Sequence, residues 1–231
     1  DALPIWVIYA CYKLPFTVKK RKEQEPTDTA AWEIIIDQNG LQGRFFELRK
    51  KLLRGALWIG IPGNYIEQSD RKEVSSFLFE NYSCIPIFLE EEFYNNASLE
   101  KYSKLLKDAF YNILDTRSLH LQEQYQAFYP QINKTFSEKI LEHADSQSLI
   151  VIQDYQLLTI PKIIASKNCK LSMCYMFSTP FANTETLKKL NNYTEILESI
   201  LSCDFVCFTS TSALQTFTEV IQEHTGNSFE S

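Results

Sequence analysis

Short apolar runs without polar alternation recur along the chain. Such runs are typical of strands that are buried on both faces, as in a parallel sheet. Turn sequences bound several of them, for example Asp37-Gln38-Asn39-Gly40 after the second run. We predict strands at residues 5–11, 32–36, 57–63, 84–89, 149–153, 171–177 and 204–209.

Between these runs, hydrophobic residues recur at helical spacing, as they do at positions 41, 45, 48 and 52. Residues 19–31 are instead charged and polar around Pro26, which predicts a loop. We predict helices at residues 41–53, 99–114, 119–143, 157–166, 184–201 (with a break near 191–192) and 212–224, and a short helix or strand at 74–79. Strands that alternate with helices predict an α/β fold, with a Rossmann-like, mostly parallel sheet and helices on both faces.

In folds of this class, ligands bind outside the carboxyl ends of the strands. Lys13 follows the first strand and could pair with an anionic substrate, or be an ordinary surface lysine. Gly40 could present backbone N–H groups to a phosphate, or simply permit a turn with positive φ. Asp154 follows a buried strand and is either a functional carboxylate or the cap of the next helix.

The charge balance disfavours two classes of partner. The 231 residues include 23 Lys and Arg against 29 Asp and Glu, which gives a net charge of −6. An acidic chain binds nucleic acids and anionic membranes poorly, and the basic stretch 19–22 is followed at once by Glu23. In addition, no apolar run approaches the ~18 residues of a membrane span. From the charge and the absence of such a run, we expect neither a nucleic-acid nor a membrane partner.

The six cysteines do not form a metal-binding motif. No Cys-x-x-Cys pair occurs, Cys203 and Cys207 are four residues apart, and the chain has only three histidines. Cys174, Cys203 and Cys207 lie in apolar strand-like runs, where buried reduced thiols are common. We therefore expect no metal site, no disulfides and a cytoplasmic location.

The sequence contains none of the common nucleotide-binding or hydrolase motifs, so we expect no cofactor. His120, His143 and His224 all fall in predicted helices rather than at strand ends. No histidine is therefore in position to act as a general base, and we assign no catalytic residue.

The ordered set of strand ends resembles the trehalose-6-phosphate synthase family. Residues 13–18 (KLPFTV) and 57–63 (LWIGIPG) are similar to the family's Arg-Leu-Pro-Val and Leu-Trp-Val-Gly-Trp-Pro-Gly. The family's Val-Asn-Arg-x-Phe is matched by Ile132-Asn133-Lys134 with Phe136, and its His-Asp-Tyr-His-Leu by residues 153–157. Residues 178–185 resemble its His-Ile-Pro-Phe-Pro-x-x-Glu. The resemblance covers nearly the whole chain in order.

The family consists of retaining GT-B glycosyltransferases that transfer glucose from UDP-glucose to glucose-6-phosphate. The resemblance implies that residues 1–231 form a single Rossmann-like N-terminal domain, the half that mainly holds the acceptor. It also implies that the C-terminal donor domain is absent from this chain. A lone N-terminal domain should not catalyse the transfer, because the nucleotide sugar has no cradle.

Residue by residue, the family's functional groups are poorly retained. Its phosphate-binding arginine is Lys13, which keeps the charge but loses the bidentate fork. The first glycine of its donor-side loop is Asn39, which leaves Gly40 alone. The tryptophan of its Trp-Pro-Gly is Ile61, and its Tyr-Asn-Gly-Phe-Ser-Asn…Leu-Trp-Pro block is scrambled, with Tyr102-Ser103 as the expected remnant.

The family's histidines are replaced as well. Gln153 and Gln156 flank the retained Asp154, and Ser178 stands at the histidine of the Pro-Phe motif, which also retains Glu185. The resemblance therefore implies a degenerate substrate site. Its expected members are Lys13, Gly40, Asp154, Ser178 and Glu185.

These replacements suggest a non-catalytic or regulatory domain in trehalose synthesis. The alternatives are a diverged but active glucosyltransferase that is truncated here, and an interaction scaffold unrelated to trehalose. The expected partners are catalytic subunits of trehalose synthesis or a second copy of the chain. Glucose-6-phosphate or UDP-glucose is expected to bind weakly, if at all.

Overall fold

A computed structural model describes residues 7–21, 31–36, 56–94, 97–120, 122–123, 128–167 and 170–226. The strands in these ranges are β1 (Val7–Lys13), β2 (Phe16–Lys20), β3 (Trp32–Ile36), β4 (Ala56–Ile61), β5 (Cys84–Pro86), β6 (Leu149–Gln153), β7 (Ser172–Phe177) and β8 (Phe205–Phe208). Six of them form one sheet in the order β5-β4-β1-β6-β7-β8, and every neighbouring pair is parallel. The predicted Rossmann-like parallel sheet is confirmed.

The order of the strands places a topological switch point beside β1. The chain builds the sheet outward from β1 through β4 to β5, then returns to the other side of β1 with β6. Ile8 of β1 therefore pairs with Leu57 on one side and with Ile150 on the other. In open α/β sheets, such a reversal opens a crevice at the carboxyl ends of the two strands.

The strand predicted at 32–36 has the predicted bounds but does not join this sheet. It pairs antiparallel with β2, a strand that the sequence analysis missed because Lys19 and Lys20 read as part of a loop. Phe16 and Val18 of β2 are buried while the residues after Val18 are exposed. The two strands form a ribbon that covers one face of the main sheet.

The helices follow the predicted rhythm. They are α1 (Arg71–Tyr82), α2 (Glu91–Tyr94), α3 (Ala97–Phe110), α4 (Phe128–His143), α5 (Ile160–Ala165), α6 (Thr184–Leu187), α7 (Tyr193–Ile200) and α8 (Thr211–Thr225). The break predicted near 191–192 separates α6 from α7, and residues 74–79 are helical within α1. The helix predicted at 41–53 lies outside the described residues, and so does Gly40.

Two hydrophobic cores lie on opposite faces of the sheet. The helix-side core packs α3, α4, α5, α7 and α8 against strand residues such as Ile8, Ile59 and Ile152. The ribbon-side core packs α1 and the β2–β3 ribbon against Tyr9, Trp58 and other strand residues whose side chains point to the opposite face of the sheet. Both faces are thus covered, as a parallel sheet requires. None of the helices in the described ranges combines the length and the apolar character needed to cross a bilayer.

Candidate functional site

A cleft of about 770 Å³ opens at the carboxyl ends of the central strands, at the switch point beside β1. Its floor is formed by residues that end or follow the strands, and its roof by α2, α3 and Tyr111. The floor residues include Lys13, Ile61, Asp154, Tyr155 and Thr179. The cleft lies at the strand ends at which the sequence analysis expected a ligand crevice.

The ends of β1 and β4 are held unusually close together. The backbone N–H of Leu14 donates to the carbonyl of Ile61 at 2.8 Å. A Cβ on Gly60 would lie 2.7 Å from the carbonyl oxygen of Cys11, so only glycine permits this approach. The close approach places the exposed Lys13 and the buried Ile61 side by side in the cleft.

Asp154 is the pivot of the cleft floor. Its Oδ2 accepts the backbone N–H of Tyr12 at 2.9 Å, which ties the end of β6 to the end of β1. The hydroxyl of Tyr175 donates to its backbone carbonyl at 2.7 Å. Although Asp154 precedes a short 3₁₀ turn, its side chain makes no capping hydrogen bond there, so the capping alternative is wrong.

The backbone of Asp154 is strained. Its φ is +80° and its ψ is 137°, a region that residues with a Cβ rarely occupy. Such strain costs on the order of 1–3 kcal/mol and persists only where surrounding contacts enforce it. Here the hydrogen bonds to Tyr12 and Tyr175 enforce it.

Asn133 of α4 fixes the segment that follows Asp154. This fully buried amide donates to the carbonyl of Gln156 at 2.8 Å and accepts the backbone N–H of Thr159 at 3.2 Å. The hydroxyl of Tyr129, on the same helix, donates to the carbonyl of Tyr155 at 3.1 Å. Tyr155 and Gln156 are thereby held against the cleft.

The roof supplies charged groups that the sequence analysis did not single out. Glu100, Ser103, Lys104 and Lys107 of α3 line the cleft, as does Tyr111 beyond it. Their spacing of three and four residues places them on one helix face, and this periodicity is the signal that could have found them. Lys104 forms an ion pair with Asp108, and the ammonium of Lys107 lies 5.8 Å from the ring centroid of Tyr111.

The sequence analysis placed the remnant of the scrambled block at Tyr102-Ser103; Ser103 lines the cleft, but the tyrosine that does so is Tyr94 rather than Tyr102. Tyr102 is buried and packs edge-on against Tyr129, with 5.1 Å between ring centroids. Tyr94 lines the cleft with Phe93, and Tyr94-Asn95 repeats the first two residues of the block. That dipeptide was the available signal.

The tyrosines of the cleft are neutral hydrogen-bonding groups. Burial raises the pKa of Tyr155 to about 12 and raises the pKa of Tyr12 and of Tyr94 well above the ordinary value. The nearby Thr179 side chain lowers the pKa of Tyr155 by less than burial raises it. The two side chains do not form a hydrogen bond of ordinary geometry. None of the described lining residues is a histidine, so the carboxylates of Asp154 and Glu100 are the available basic groups.

The remaining expected site residues are dispersed. Ser178 lines a separate small cavity of about 30 Å³ that shares Asp154 and Tyr155 with the cleft. Glu185 does not line the cleft: its side chain is 87% exposed and pairs with Lys189 at 3.5 Å. The structure therefore brings together Lys13 and Asp154, with Ser178 adjacent, and leaves Glu185 on the surface. Within the described ranges, no three His, Cys, Asp or Glu side chains lie close enough together to hold a metal ion.

The sequence profile of glycosyltransferase family 20 matches residues 7–231. The chain belongs to this family. It is 27% identical over 206 residues to alpha,alpha-trehalose-phosphate synthase A of Dictyostelium discoideum, a match that covers 87% of this chain and 26% of that protein. It is also 27% identical to the 56 kDa subunit of the Saccharomyces cerevisiae synthase, with 87% of this chain and 40% of that protein covered.

Solved structures of trehalose-phosphate enzymes share the fold. The N-terminal domain of Candida albicans trehalose-6-phosphate phosphatase superposes with a TM-score of 0.73 at 17% identity, over 99% of this chain and 45% of that one. A Burkholderia xenovorans trehalose-phosphate synthase superposes with a TM-score of 0.66 at 15% identity, over 99% and 44%. The chain thus has the fold of the N-terminal half of GT-B synthases and spans less than half the length of these relatives.

Some positions that differ from the family's motifs lie in the cleft, and others do not. Of the positions that differ from the family's motifs, Lys13, Ile61 and Gln156 line the cleft. Ser178 lines the adjacent small cavity, and Asn39 lies outside the described residues. Gln153 is buried and its Oε1 accepts the hydroxyl of Tyr9, so its amide serves the strand packing. The family's framework residues Asn133 and Phe136 are instead buried on α4. Several differences from the family's motifs thus meet in the cleft, which also contains the retained Asp154 and Tyr155.

Proposed function

We propose that this chain is a trehalose-phosphate synthase-like domain that has lost glucosyl transfer and serves trehalose synthesis in a regulatory or assembly role. The observation that carries this proposal is the convergence of replaced positions on one cleft. Lys13, Ile61 and Gln156 are far apart in sequence yet line the same 770 Å³ space. Relaxed selection on chemistry, with the fold maintained, produces this distribution.

The replacements remove specific chemical capacities. A lysine in place of arginine loses the planar fork that grips a phosphate with two parallel hydrogen bonds. An isoleucine in place of tryptophan loses a flat wall and an N–H donor. Glutamine in place of histidine loses the one side chain whose pKa suits proton transfer near neutral pH.

The fold alone does not imply synthase activity. The Candida albicans protein that shares it is titled a trehalose-6-phosphate phosphatase, and the shared part is its N-terminal domain. A non-synthase protein of trehalose metabolism can therefore carry this domain. The Saccharomyces cerevisiae relative is named as a subunit, which is consistent with assembly partners for such domains. We expect this chain to associate with catalytic trehalose-synthesis subunits or with itself.

The decisive assay measures UDP release from UDP-glucose and glucose-6-phosphate by the natural full-length protein. We expect no release above an enzyme-free blank, because the cleft lacks the family's arginine, tryptophan and histidines. The Schizosaccharomyces pombe synthase serves as the positive control. Release that a Lys13→Ala substitution abolishes would contradict the proposal and establish a diverged active enzyme, which would rest on Lys13 and Asp154.

A second assay asks whether the cleft still binds a sugar phosphate. Three lysines line the cleft (Lys13, Lys104 and Lys107) against two carboxylates (Glu100 and Asp154), so an anionic sugar is the expected ligand. We expect roughly millimolar affinity for glucose-6-phosphate. At a hundred times the dissociation constant, this ligand would raise the free energy of unfolding by about 2.7 kcal/mol.

The melting shift with glucose-6-phosphate should disappear in Lys13→Ala. It should persist in Lys162→Ala, because Lys162 pairs with Glu198 and does not line the cleft. An equal shift in wild type and Lys13→Ala, or no shift beyond that of a sodium phosphate control, would show that the cleft has lost its ligand and leave only the assembly role.

A further inference from the structure

Two thiols lie in contact at the open edge of the sheet, far in sequence from each other. The Sγ atoms of Cys174 on β7 and Cys207 on β8 are 3.6 Å apart. Cys207 is exposed and Cys174 is half-buried. Neither residue lines the cleft, and the proposed function does not involve them.

The register of the sheet adds a third sulfur. Cys174 pairs with Phe205, and Met176 pairs with Cys207, in the parallel ladder between β7 and β8. Residues two apart on a strand share a face, and paired residues of a parallel ladder share it too. Cys174, Met176 and Cys207 therefore lie on the same face of the sheet, with Met176 directly beside Cys207.

The separation of the two cysteines suits shared binding of one metal ion better than a disulfide. A two-residue offset between neighbouring strands places the two Cα atoms roughly 8 Å apart. A disulfide accommodates Cα separations of only about 4.4–6.8 Å, so it would require β8 to slide. Two thiolates bound to one metal at about 2.3 Å in a tetrahedral arrangement are about 3.8 Å apart, close to the observed 3.6 Å.

The donor set indicates which metal. Thiolate and thioether ligands suit soft ions such as Cu(I), whereas a structural Zn²⁺ site takes four ligands from Cys, His, Asp or Glu. In the described part of the chain, no third Cys, His, Asp or Glu completes a metal cluster with the pair. We propose that Cys174, Met176 and Cys207 form a binding site for a soft monovalent metal ion of the Cu(I) class.

Binding is a ligand exchange without a redox step. The two thiols release two protons, two metal–thiolate bonds form, and the thioether of Met176 donates a lone pair to the same ion. Each thiol binds the ion as a thiolate, so the metal must displace a proton from each cysteine. Protons therefore compete with the ion.

The test is an anaerobic titration of the reduced, metal-free full-length protein with Cu(I) held by a chromogenic chelator. We expect the wild-type protein to withdraw one equivalent from the chelator. Cys207→Ser and Cys174→Ser should each lower the affinity by more than the roughly tenfold to hundredfold that the loss of an outer-shell partner costs. Met176→Leu conserves volume and should weaken binding while the fold is maintained.

Cys203→Ala is the matched control, since Cys203 packs with the helix-side core whereas Cys174 packs with the ribbon-side core. Its affinity should equal that of wild type. Because Cys207 is exposed, Cys207→Ser should melt as wild type does, which separates loss of the site from loss of the fold. Equal competition by wild type and a folded Cys207→Ser would overturn the proposal.

Discussion

Asp154 combines two costs that a core residue usually avoids: a positive φ and a carboxylate placed at the end of a buried strand. Both are offset by one set of contacts, in which Oδ2 accepts the N–H of Tyr12 and the backbone carbonyl accepts the hydroxyl of Tyr175. The residue therefore joins the central strands at the switch point. These structural contacts by themselves account for an aspartate at this position.

Two substitutions at Asp154 should distinguish the contribution of its side-chain hydrogen bond from the cost of its backbone strain. Asp154→Ala leaves the N–H of Tyr12 without an acceptor and should lower the free energy of unfolding by about 1–3 kcal/mol. Asp154→Gly loses the same acceptor but relieves the positive φ, so it should be about 1 kcal/mol more stable than the alanine variant. Urea denaturation measures both.

The order of the two variants is the informative result. If Asp154→Gly were less stable than Asp154→Ala, the backbone at this position would not be strained. If neither variant differed from wild type, the hydrogen bond to Tyr12 would contribute nothing to stability.

At the scale of elements, α4 acts as the support of the cleft floor. Asn133 binds the carbonyl of Gln156 and the N–H of Thr159, and also donates to the carbonyl of Tyr129 on its own helix at 2.9 Å. The first contact satisfies a carbonyl of the 3₁₀ turn (Tyr155–Leu157), and the second satisfies an N–H just after it. The family's Asn is thus a framework residue that positions the cleft.

Replacing Asn133 by alanine should therefore be severe. It removes a fully buried amide and leaves two buried backbone groups unpaired, so we expect a loss of about 2–4 kcal/mol in the free energy of unfolding. Asn81→Ala is the control, because the exposed Asn81 amide donates only to the carbonyl of Phe77 on its own helix. The control should change stability by less than about 0.5 kcal/mol.

Thermal and urea denaturation of the two variants check this prediction. Similar losses for Asn133→Ala and Asn81→Ala would show that the turn is held by packing rather than by the amide.

Sequence reasoning performed unevenly at this scale. The strands at 32–36 and 149–153 have the predicted bounds because short apolar runs bounded by polar residues carry a local signal. β2 was missed because its last residues are charged and its pairing with β3 depends on a contact across a loop. Within the helix predicted at 119–143, residues 122–123 and 128–143 are helical, and residues 121 and 124–127 lie outside the described ranges.

At the scale of the whole molecule, several buried tyrosines make the free energy of unfolding depend on pH in the alkaline range. Tyr12, Tyr102, Tyr129 and Tyr175 are buried, and burial is the largest cause of the rise in pKa of each above 10.0. Between 10.0 and the higher folded pKa, the unfolded chain releases protons that the folded chain keeps. Their contribution to stability is complete below pH 10 and is lost as pH rises toward the folded pKa.

We therefore expect stability to fall steeply above about pH 10, by up to about 5 kcal/mol per pH unit for the four tyrosines. Circular dichroism should be lost together with the appearance of tyrosinate absorbance, since these rings ionise only on unfolding. Full ionisation of all tyrosines in a chain that keeps its native circular dichroism would contradict the prediction.

The amino-acid sequence by itself determined the alternation of strands and helices, the family, and the edge of the sheet at which site residues gather. Those properties depend on local periodicity and on short motifs, which survive replacement of the chemical groups. From them, Lys13 and Asp154 could be placed in one crevice, since both follow strands of a parallel sheet.

Only the tertiary structure decided which groups meet. Tyr12 and Asp154 are 142 positions apart yet share a hydrogen bond, and Cys174 and Cys207 touch across two strands. The same packing brought the lysines of α3 into the cleft and left Glu185 in solvent. Such contacts depend on strand order, register and helix rotation, which arise from the burial of two cores at once and which no single segment of sequence determines.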